Sequence, residues 1–200
     1  MPPTSSPRIV RCRRHAKNSM PARGLTQAVT HLRRGGIVAY PTESVYGLGC
    51  DPANHRAVMR LLHIKRRSPA KGLILVAADV EQLLPWVAEI PAQVRATWPG
   101  AHTWLVRPRP GVPNWITGRH TRIAVRVSAH PSVRALCRAA GMALVSTSAN
   151  RTGQVPARCY RGVLRRFGSD VDYVLPGRVG GRRQPTPITD ADSGRLIRPG

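Results

Sequence analysis

Residues 36–51 read GIVAYPTESVYGLGCD. The apolar run 37–40 has the length of a short strand. It leads into Pro41-Thr42-Glu43-Ser44, where hydroxyls and one carboxylate are concentrated, and glycines follow at positions 47 and 49. Because a glycine has no side chain to cover its backbone N–H group, such a segment can present both N–H donors and hydroxyls to a ligand. We therefore expect a strand followed by a ligand-binding loop.

A helix over residues 52–65 is expected after this loop. Asp51 can serve as its N-cap and Pro52 as its first helical residue. The helix then delivers Lys65 and Arg67 to its C-terminal end. Hydroxyls, exposed N–H groups and two cations thus meet in one strand–loop–helix unit, which predicts a site for an anionic, phosphate-bearing ligand.

Charge is the strongest feature of the composition. The chain has 32 lysines and arginines against nine aspartates and glutamates, for a formal net charge of +23, and residues 90–169 contain no acid. An arginine-rich composition explains the excess of arginine over lysine, but not the scarcity of acids. The charge predicts a polyanionic partner, and we favour tRNA or double-stranded RNA over a membrane surface.

The remaining composition is that of one globular domain. The chain has 200 residues, of which 42% are hydrophobic, which suffices for a single core. No apolar run approaches the roughly 18 residues of a membrane span, so no membrane association is expected. The four cysteines form no C-x-x-C pair, which argues against a zinc site and a disulfide framework. Reduced thiols and a cytoplasmic location are expected.

The first 23 residues form a separate region. Residues 1–23 carry six basic residues and no acid. We expect a disordered basic extension here. A mitochondrial targeting arm, or a true start at Met20, are the alternatives that remain open. The folded domain is expected over residues 24–200.

Helical and strand patterns alternate from Gly24 onward, which is typical of an α/β fold with a mixed, twisted sheet. The expected helices carry the apolar face Leu25–Leu32 and cover residues 52–65, 80–87, 91–98, 130–140 and 159–167. The expected strands are 37–40, 72–77, 102–107, 122–127, 142–146 and 171–175, with two short strands at the C-terminus and loops at 108–118 and 176–185.

Seven short motifs follow one another along the chain. They are PTESVYGLG at 41–49, K-x-R at 65–67, KGLIL at 71–75, WPG at 98–100, AVR at 124–126, STSAN at 146–150 and LIRPG at 196–200. This ordered set resembles the YrdC/TsaC family, the threonylcarbamoyl-AMP synthases, over residues 24–200. The resemblance implies a single-domain YrdC-like fold with an open mixed sheet, flanking helices and a basic concave face.

The resemblance also implies a reaction. Members of the family join L-threonine, bicarbonate and ATP into L-threonylcarbamoyladenylate and release pyrophosphate, so the chain is expected to be a nucleotidyltransferase. Mg²⁺ is expected to arrive with the nucleotide. The product would serve threonylcarbamoyladenosine modification of tRNA. Because the chain resembles the short form of the family, separate tRNA threonylcarbamoyltransferase proteins are expected as partners.

The matching motif positions imply roles for ten residues, and no protein ligand for a metal. Arg122 stands where relatives often carry Ser or Thr, which puts a side-chain hydroxyl contact there in doubt. The resemblance implies threonine binding by Thr42, Arg126, Ser146 and Thr186, ATP binding and catalysis by Lys65, Arg67, Ser148 and Asn150, and further ATP contacts from Pro156 and Arg198.

The competing hypothesis is a non-catalytic RNA-binding or ribosome-assembly protein, which the charge alone supports. It leaves the intact K-x-R and S-x-N residues without a role, and no aromatic RNA-recognition motif is visible. No catalytic triad and no G-x-S-x-G sequence are present either. We therefore favour an enzyme whose site binds and positions its substrates over one that reacts covalently with them.

Overall fold

The computed structural model describes residues 22–200, and the structural statements below concern that part of the chain. The helices are α1 (Ala22–Arg33), α2 (His55–Lys65), α3 (Ala92–Arg95), α4 (Asn114–Thr117), α5 (Pro131–Ala140) and α6 (Tyr160–Phe167), with 3-10 turns at Pro69–Lys71 and Val80–Leu83. The strands are β1 (Val38–Pro41), β2 (Tyr46–Cys50), β3 (Ile74–Ala77), β4 (Thr103–Val106), β5 (Ile123–Val127), β6 (Leu144–Ser148), β7 (Tyr173–Val174), β8 (Ile188–Asp190) and β9 (Leu196–Arg198).

These strands form one open sheet in the order β7-β1-β2-β6-β3-β5-β4-β8-β9. Three neighbouring pairs are parallel, namely β1–β7, β3–β5 and β4–β8, and the other pairs are antiparallel. The predicted α/β fold with a mixed open sheet is therefore confirmed. Helix α1 begins at Ala22, and residues 1–21 of the predicted basic extension lie outside the described residues.

Each face of the sheet carries its own apolar core. Along β1, Val38 and Tyr40 belong to a core shared with α1 and α5, whereas Ala39 belongs to a core shared with α2. The separation follows from the alternation of side chains in a strand. We call the face that carries α1 and α5 the front face.

The helices cover only part of the front face. Along β6, Leu144 is buried in the core with α5, while Ser146 and Ser148, two and four residues further on, line an open cavity. Their spacing puts all three side chains on the same face of the strand. One half of the front face is therefore apolar and covered by helices, and the other half is polar and open.

A long connection crosses this face. Residues 175–187, which we call the crossover segment, join β7 at one edge of the sheet to β8 near the other. The Gly180 N–H donates to the carbonyl of Thr42 at 2.9 Å, and the Tyr46 hydroxyl donates to the carbonyl of Gly177 at 2.7 Å. The loop predicted at 176–185 thus lies against the motif loop between β1 and β2.

The predicted start of helix α2 is wrong by three residues. The N-cap is Asn54, whose side-chain oxygen accepts the N–H of Ala57 at 3.0 Å, and not Asp51. The carboxylate of Asp51 instead accepts the N–H of Ala53 at 2.8 Å and closes a turn before the helix. Two residues three positions apart can each cap a backbone N–H, and the sequence pattern does not distinguish them.

Other differences concern short elements. The sequence pattern does not predict β2, since Gly47 and Gly49 are poor strand residues. The helix predicted at 80–87 is a single 3-10 turn, because Pro85 has no N–H group to continue it. Strand β6 ends at Ser148, two residues later than predicted, and the loop predicted at 108–118 contains α4.

Gly49 is required by close packing between β2 and its neighbours. A Cβ atom there would lie 2.5 Å from the carbonyl oxygen of Val145 and 2.8 Å from the ring and hydroxyl of Tyr40. We expect Gly49→Ala to lower the free energy of unfolding by about 2 kcal/mol, because neither neighbour can move freely.

Gly181 is the matched control, since an added Cβ would meet nothing within 4 Å. Gly181→Ala is expected to change stability by no more than about 0.5 kcal/mol. Urea denaturation of both variants measures the difference, and equal stability would contradict the packing described for β2.

Candidate active site

An open cavity of about 890 Å³ lies on the polar half of the front face. Strands β2, β3, β5 and β6 provide its floor, and the crossover segment, β8 and β9 provide a wall. Its lining is strongly cationic, with Asp190 as the single carboxylate among its residues. The lysine and arginine side chains that line it are Arg67, Lys71, Arg119, Arg122, Arg126, Arg158, Arg183, Arg195 and Arg198.

Eight of the ten residues predicted from the sequence line this one cavity. Lys65 and Asn150 do not line it. The eight come from three strands and four loops that are far apart in sequence. They are Thr42, Arg67, Arg126, Ser146, Ser148, Pro156, Thr186 and Arg198.

Lys65 lies outside the cavity lining and ties helix α2 to the end of β6 and the loop after it. Its side chain is buried, with the residue only 3% exposed, and its ammonium donates to the carbonyls of Ser148 and Asn150, the latter at 2.6 Å. In return, the N–H of Thr152 donates to the carbonyl of Lys65 at 3.0 Å. The last residue of α2 and residues 148–152 therefore hold each other in place.

This burial changes the chemistry of the lysine. Removal from water, followed by the nearby guanidinium of Arg67, lowers the pKa of Lys65 to about 8. Burial likewise lowers the pKa of Arg67. Both pKa shifts arise because a low-dielectric environment disfavours a charge. An anionic ligand bound near these side chains would stabilise their charged forms.

The S-x-N residues form a small hydrogen-bonded unit. The Ser148 hydroxyl donates to the side-chain oxygen of Asn150 at 2.6 Å. The amide nitrogen of Asn150 donates in turn to the carbonyls of Arg151 and Gln154, at 2.9 and 2.8 Å. Asn150 thus shapes the loop, while the oxygen of Ser148 faces the cavity.

Arg67 is held at the cavity by the loop before β3. One of its terminal nitrogens donates to the carbonyl of Gly72 at 2.9 Å. Its buried Nε atom has no hydrogen-bond partner in the described part of the chain. The guanidinium is therefore anchored at one end and keeps unused donors, as an anion-binding arginine requires.

Thr42 and Ser146 lie side by side because the intervening strand residue is a glycine. A Cβ atom on Gly47 would lie 3.3 Å from the methyl group of Thr42 and 3.4 Å from the hydroxyl oxygen of Ser146. The Thr42 hydroxyl donates to the carbonyl of Val45 at 2.8 Å. Its oxygen is therefore an acceptor for a ligand, and specifically for a ligand hydroxyl or ammonium.

Arg126 projects from β5 next to a buried carboxylate. The nearest nitrogen of Arg126 is 3.4 Å from Oε2 of Glu43, and both residues are less than 9% exposed. Burial alone would raise the pKa of Glu43, but Arg126 and a hydrogen bond from Ser128 outweigh it and hold that pKa below its usual value. Glu43 is therefore ionised at neutral pH, and the pair is formally neutral.

The far wall brings the C-terminal motif to the cavity. Arg198 donates to the carbonyl of Thr186 at 2.8 Å, and the Thr186 hydroxyl lies 3.3 Å from that of Thr103. Arg122 lines the same end, where its guanidinium donates to Asp192 at 2.5 Å. Arg122 therefore fastens the β8–β9 hairpin to β5, and it offers a cation where a hydroxyl side chain would offer a neutral donor.

Two features are absent from residues 22–200. No group of three or more His, Cys, Asp or Glu residues there is arranged to hold a metal ion. Within the same residues, no helix combines the length and apolar character that crossing a membrane requires.

Sequence reasoning did not single out several cavity residues. Arg119, Arg158 and Arg195 line the cavity, but each is one arginine among many in the chain. Lys71 also lines it and begins the KGLIL motif, from which no role was predicted for it. Glu43 and Ser128 lie outside the lining, and the contacts of Glu43 with Arg126 and with Ser128 carry no local signal either. These residues are assembled by pairing between distant strands, which a local pattern does not encode.

The fold and the cavity define a class of protein. It is an α/β protein whose sheet holds, on one exposed face, a large cavity with hydroxyls on the floor and cations around them. A protein-family model named for Sua5, YciO and YrdC, and described as telomere recombination, matches residues 30–200. The chain belongs to this Sua5/YciO/YrdC family.

Proteins of similar sequence carry one name. The chain is 57% identical over 178 residues to the threonylcarbamoyl-AMP synthase of Methylococcus capsulatus, covering 87% of this chain and 96% of that protein. It is 52% identical over 179 residues to the threonylcarbamoyl-AMP synthase of Alkalilimnicola ehrlichii, covering 87% and 94%.

Solved structures share the fold. Sua5 of P. abyssi, complexed with L-threonine, matches with a TM-score of 0.82 and 30% identity. The match covers 88% of this chain but only 54% of Sua5, so the chain spans about half of that protein. YciO of E. coli matches with a TM-score of 0.77 and 26% identity, covering 89% of both chains.

Proposed function

We propose that the chain is a threonylcarbamoyl-AMP synthase, which converts L-threonine, bicarbonate and ATP into L-threonylcarbamoyladenylate and pyrophosphate. The observation that carries the proposal is the cavity, in which hydroxyls and one arginine lie beside a cationic wall. The names of the two bacterial relatives, of which the chain covers more than nine tenths, support the same activity.

Threonine would occupy the floor of the cavity. Arg126, charge-balanced by Glu43, would bind the threonine carboxylate through charge-assisted hydrogen bonds. The Thr42 oxygen, whose own proton is given to Val45, would accept the proton of the threonine hydroxyl. Ser146 and Thr186 would complete the subsite, since both are buried hydroxyl residues of the lining.

The nucleotide would lie along the cationic residues of the lining. Arg67 and Arg198 would donate to its phosphates, with Pro156 against its non-phosphate part. The Ser148 hydroxyl would also donate to a phosphate once its proton turns from Asn150 towards that oxygen. Lys65 and Asn150 would act indirectly, by holding the end of β6 that carries Ser148 and the loop after it. Burial, and then the charges of Arg126 and Arg67, lower the pKa of Arg198, as expected where three cations line one cavity.

The reaction itself needs no covalent enzyme intermediate. The threonine amine would add to the carbon of bicarbonate and give a carbamate with loss of water. A carbamate oxygen would then attack the α-phosphorus of ATP, and pyrophosphate would leave. Negative charge spreads over phosphate oxygens during this step, so fixed cations and N–H donors provide most of the stabilisation.

Mg²⁺ fits this proposal only as part of the nucleotide. The residues from 22 to 200 contain no three-ligand cluster, and Asp190, the carboxylate of the lining, is 3.8 Å from Arg122. Phosphate oxygens and water would therefore hold the ion, and the chain would supply no cage for it.

Pyrophosphate release by the purified chain tests the proposed activity. Release is expected only when threonine, bicarbonate and ATP are all present. Release that continues without threonine or without bicarbonate would indicate a different nucleotide chemistry. No release with the complete set would leave the RNA-binding hypothesis as the better account.

Arg67 provides the first test of the phosphate-binding residues of the lining. Arg67→Ala should reduce the rate of pyrophosphate release about a hundredfold, because it removes donors that act most strongly as charge develops at the α-phosphate. Arg66→Ala is the control, since the neighbouring side chain is exposed and outside the lining. Lys65→Met should cause a similar loss and also lower the melting temperature, because two carbonyls lose their donor.

A rate within about threefold of the unmodified protein for a folded Arg67→Ala variant would contradict the assignment. Circular dichroism and thermal denaturation show whether each variant is folded. Loss of activity in Arg66→Ala would mean that the effect is one of overall charge and not of the wall.

Amino-acid selectivity tests the floor of the cavity. Valine should be rejected by about 10⁴-fold in kcat/KM, because its binding leaves the Thr42 acceptor buried without a partner. Serine lacks only a methyl group and should be rejected by about tenfold to a hundredfold. Thr42→Ser should keep the discrimination against valine, whereas Thr42→Val should remove most of it. Turnover of valine equal to that of threonine would exclude this pocket.

We also propose direct binding of tRNA or double-stranded RNA, with little dependence on sequence. The substrates of the cavity need only a few cations, while the chain carries +23. Exposed arginines also lie on the crossover segment, at Arg182 and Arg183, and on α6, at Arg161 and Arg165. A separate tRNA threonylcarbamoyltransferase would receive the labile product.

The enzyme would act in the cytoplasm. Reduced thiols at Cys50 and Cys137 agree with that location.

A salt titration tests the RNA proposal. Log affinity for tRNA should fall linearly with log salt, since phosphate contacts release counterions. Replacing Arg182 and Arg183 by serine should make the slope shallower by roughly two phosphate contacts, while the adjacent exposed pair Arg33 and Arg34 serves as the matched control. Deleting residues 1–19 should weaken binding only in part. No binding at low salt would assign the charge to composition, and complete loss on deletion would assign it to the tail.

A further inference from the structure

Glu43 is the sole acid among the buried residues that the structure describes, at 8% exposure. It follows Thr42 in the loop between β1 and β2, and it does not line the cavity. Burying a carboxylate is unfavourable unless it is paired and hydrogen-bonded. Glu43 balances the charge of Arg126, and its partners indicate why that charge is kept in a buried position.

The two oxygens of the carboxylate have different partners. Oε1 accepts the hydroxyl of Ser128 at 2.5 Å, which fixes the orientation of the group. Oε2 faces Arg126, 3.4 Å from its nearest nitrogen, and makes no hydrogen bond among the described residues. The contact is therefore ionic and one-sided. It holds Arg126 by charge and does not occupy the guanidinium with a pair of parallel hydrogen bonds, so donors of Arg126 remain for a ligand.

Arg126 needs such a partner because it lies among like charges. Arg67, Arg126 and Arg198 line the same cavity, and the residues with cationic side chains there outnumber the acidic ones by nine to one. Without a carboxylate behind it, the Arg126 side chain would be pushed away from the other cations towards solvent.

The same loop is fastened to the crossover segment. The N–H of Arg182 donates to the carbonyl of Glu43 at 3.2 Å, and a Cβ on Gly180 would lie 2.6 Å from that carbonyl oxygen. Ser128 also accepts the N–H of His130, at 3.1 Å. His130 in turn contacts the carbonyl of Arg178 through Nε2 at 3.2 Å. The position of Glu43 is thus determined from both sides, which a residue that orients another one requires.

We propose that Glu43 is a positioning residue that holds Arg126 in the orientation needed to bind the carboxylate of the amino-acid substrate. This inference rests on the proposed function. It predicts that the charge of Glu43, and not only its shape, controls affinity for threonine while leaving affinity for ATP nearly unchanged.

Titration calorimetry on the full chain, with threonine alone and with ATP alone, tests the inference. Glu43→Gln keeps the size and a hydrogen bond to Ser128 but removes the charge, and it should weaken threonine binding about tenfold or more, with ATP binding within about twofold. Glu43→Asp restores the charge one methylene further back, and it should recover part of the loss. Asp79→Asn is the matched control, because Asp79 pairs with Arg138 at 2.9 Å outside this cavity, and it should change neither affinity.

Ser128→Ala keeps the charge and loses the orienting hydroxyl, so a loss of threonine affinity of about threefold is expected, and this variant serves if Glu43→Gln does not fold. Threonine binding to folded Glu43→Gln within about twofold of the unmodified chain, or equal losses for threonine and ATP, would overturn the inference. Failure of the unmodified chain to bind threonine would instead overturn the proposed function, and the inference with it.

Discussion

The buried ammonium of Lys65 is the contact on which the rest of the site depends. It joins the last residue of helix α2 to the carbonyls of Ser148 and Asn150, and thereby fixes the loop that follows the central strand β6. A buried cation is tolerated only where acceptors replace its water, and here two carbonyls do so. The K-x-R motif suggests that Lys65 contacts a ligand directly, but its ammonium instead holds two backbone carbonyls in place. Its lowered pKa, of about 8, is the consequence of that position.

The second constraint is the division of the front face of the sheet. Strand alternation puts Leu144, Ser146 and Ser148 on one side of β6, and helices cover only the first of them. The apolar half stabilises the fold, while the polar half is left for substrates. Glycines in β2 make this possible, since a side chain at Gly47 or Gly49 would fill the space that Tyr40, Thr42 and Ser146 share. The glycines that keep the site open are therefore also residues with low strand propensity.

This conflict explains which parts of the fold and of the site could be predicted from the sequence. The mixed α/β fold follows from alternating apolar patterns, and the motif order brings eight of ten expected residues into one cavity. Strand β2 does not follow, because its glycines oppose a strand and only contact with β1 and β6 favours it. The choice of Asn54 over Asp51 as the N-cap depends on turn geometry. The Glu43–Arg126 contact joins residues 83 positions apart, and no local sequence pattern predicts it.

The central claim is that one cavity brings threonine, bicarbonate and ATP together. Mass spectrometry of the product formed from ¹³C-bicarbonate, unlabelled threonine and ATP tests this most directly. The account predicts an adenylate that contains both threonine and one ¹³C atom, with pyrophosphate released in equal amount. An adenylated threonine without the label, or no adenylate while the folded protein still binds RNA, would contradict it.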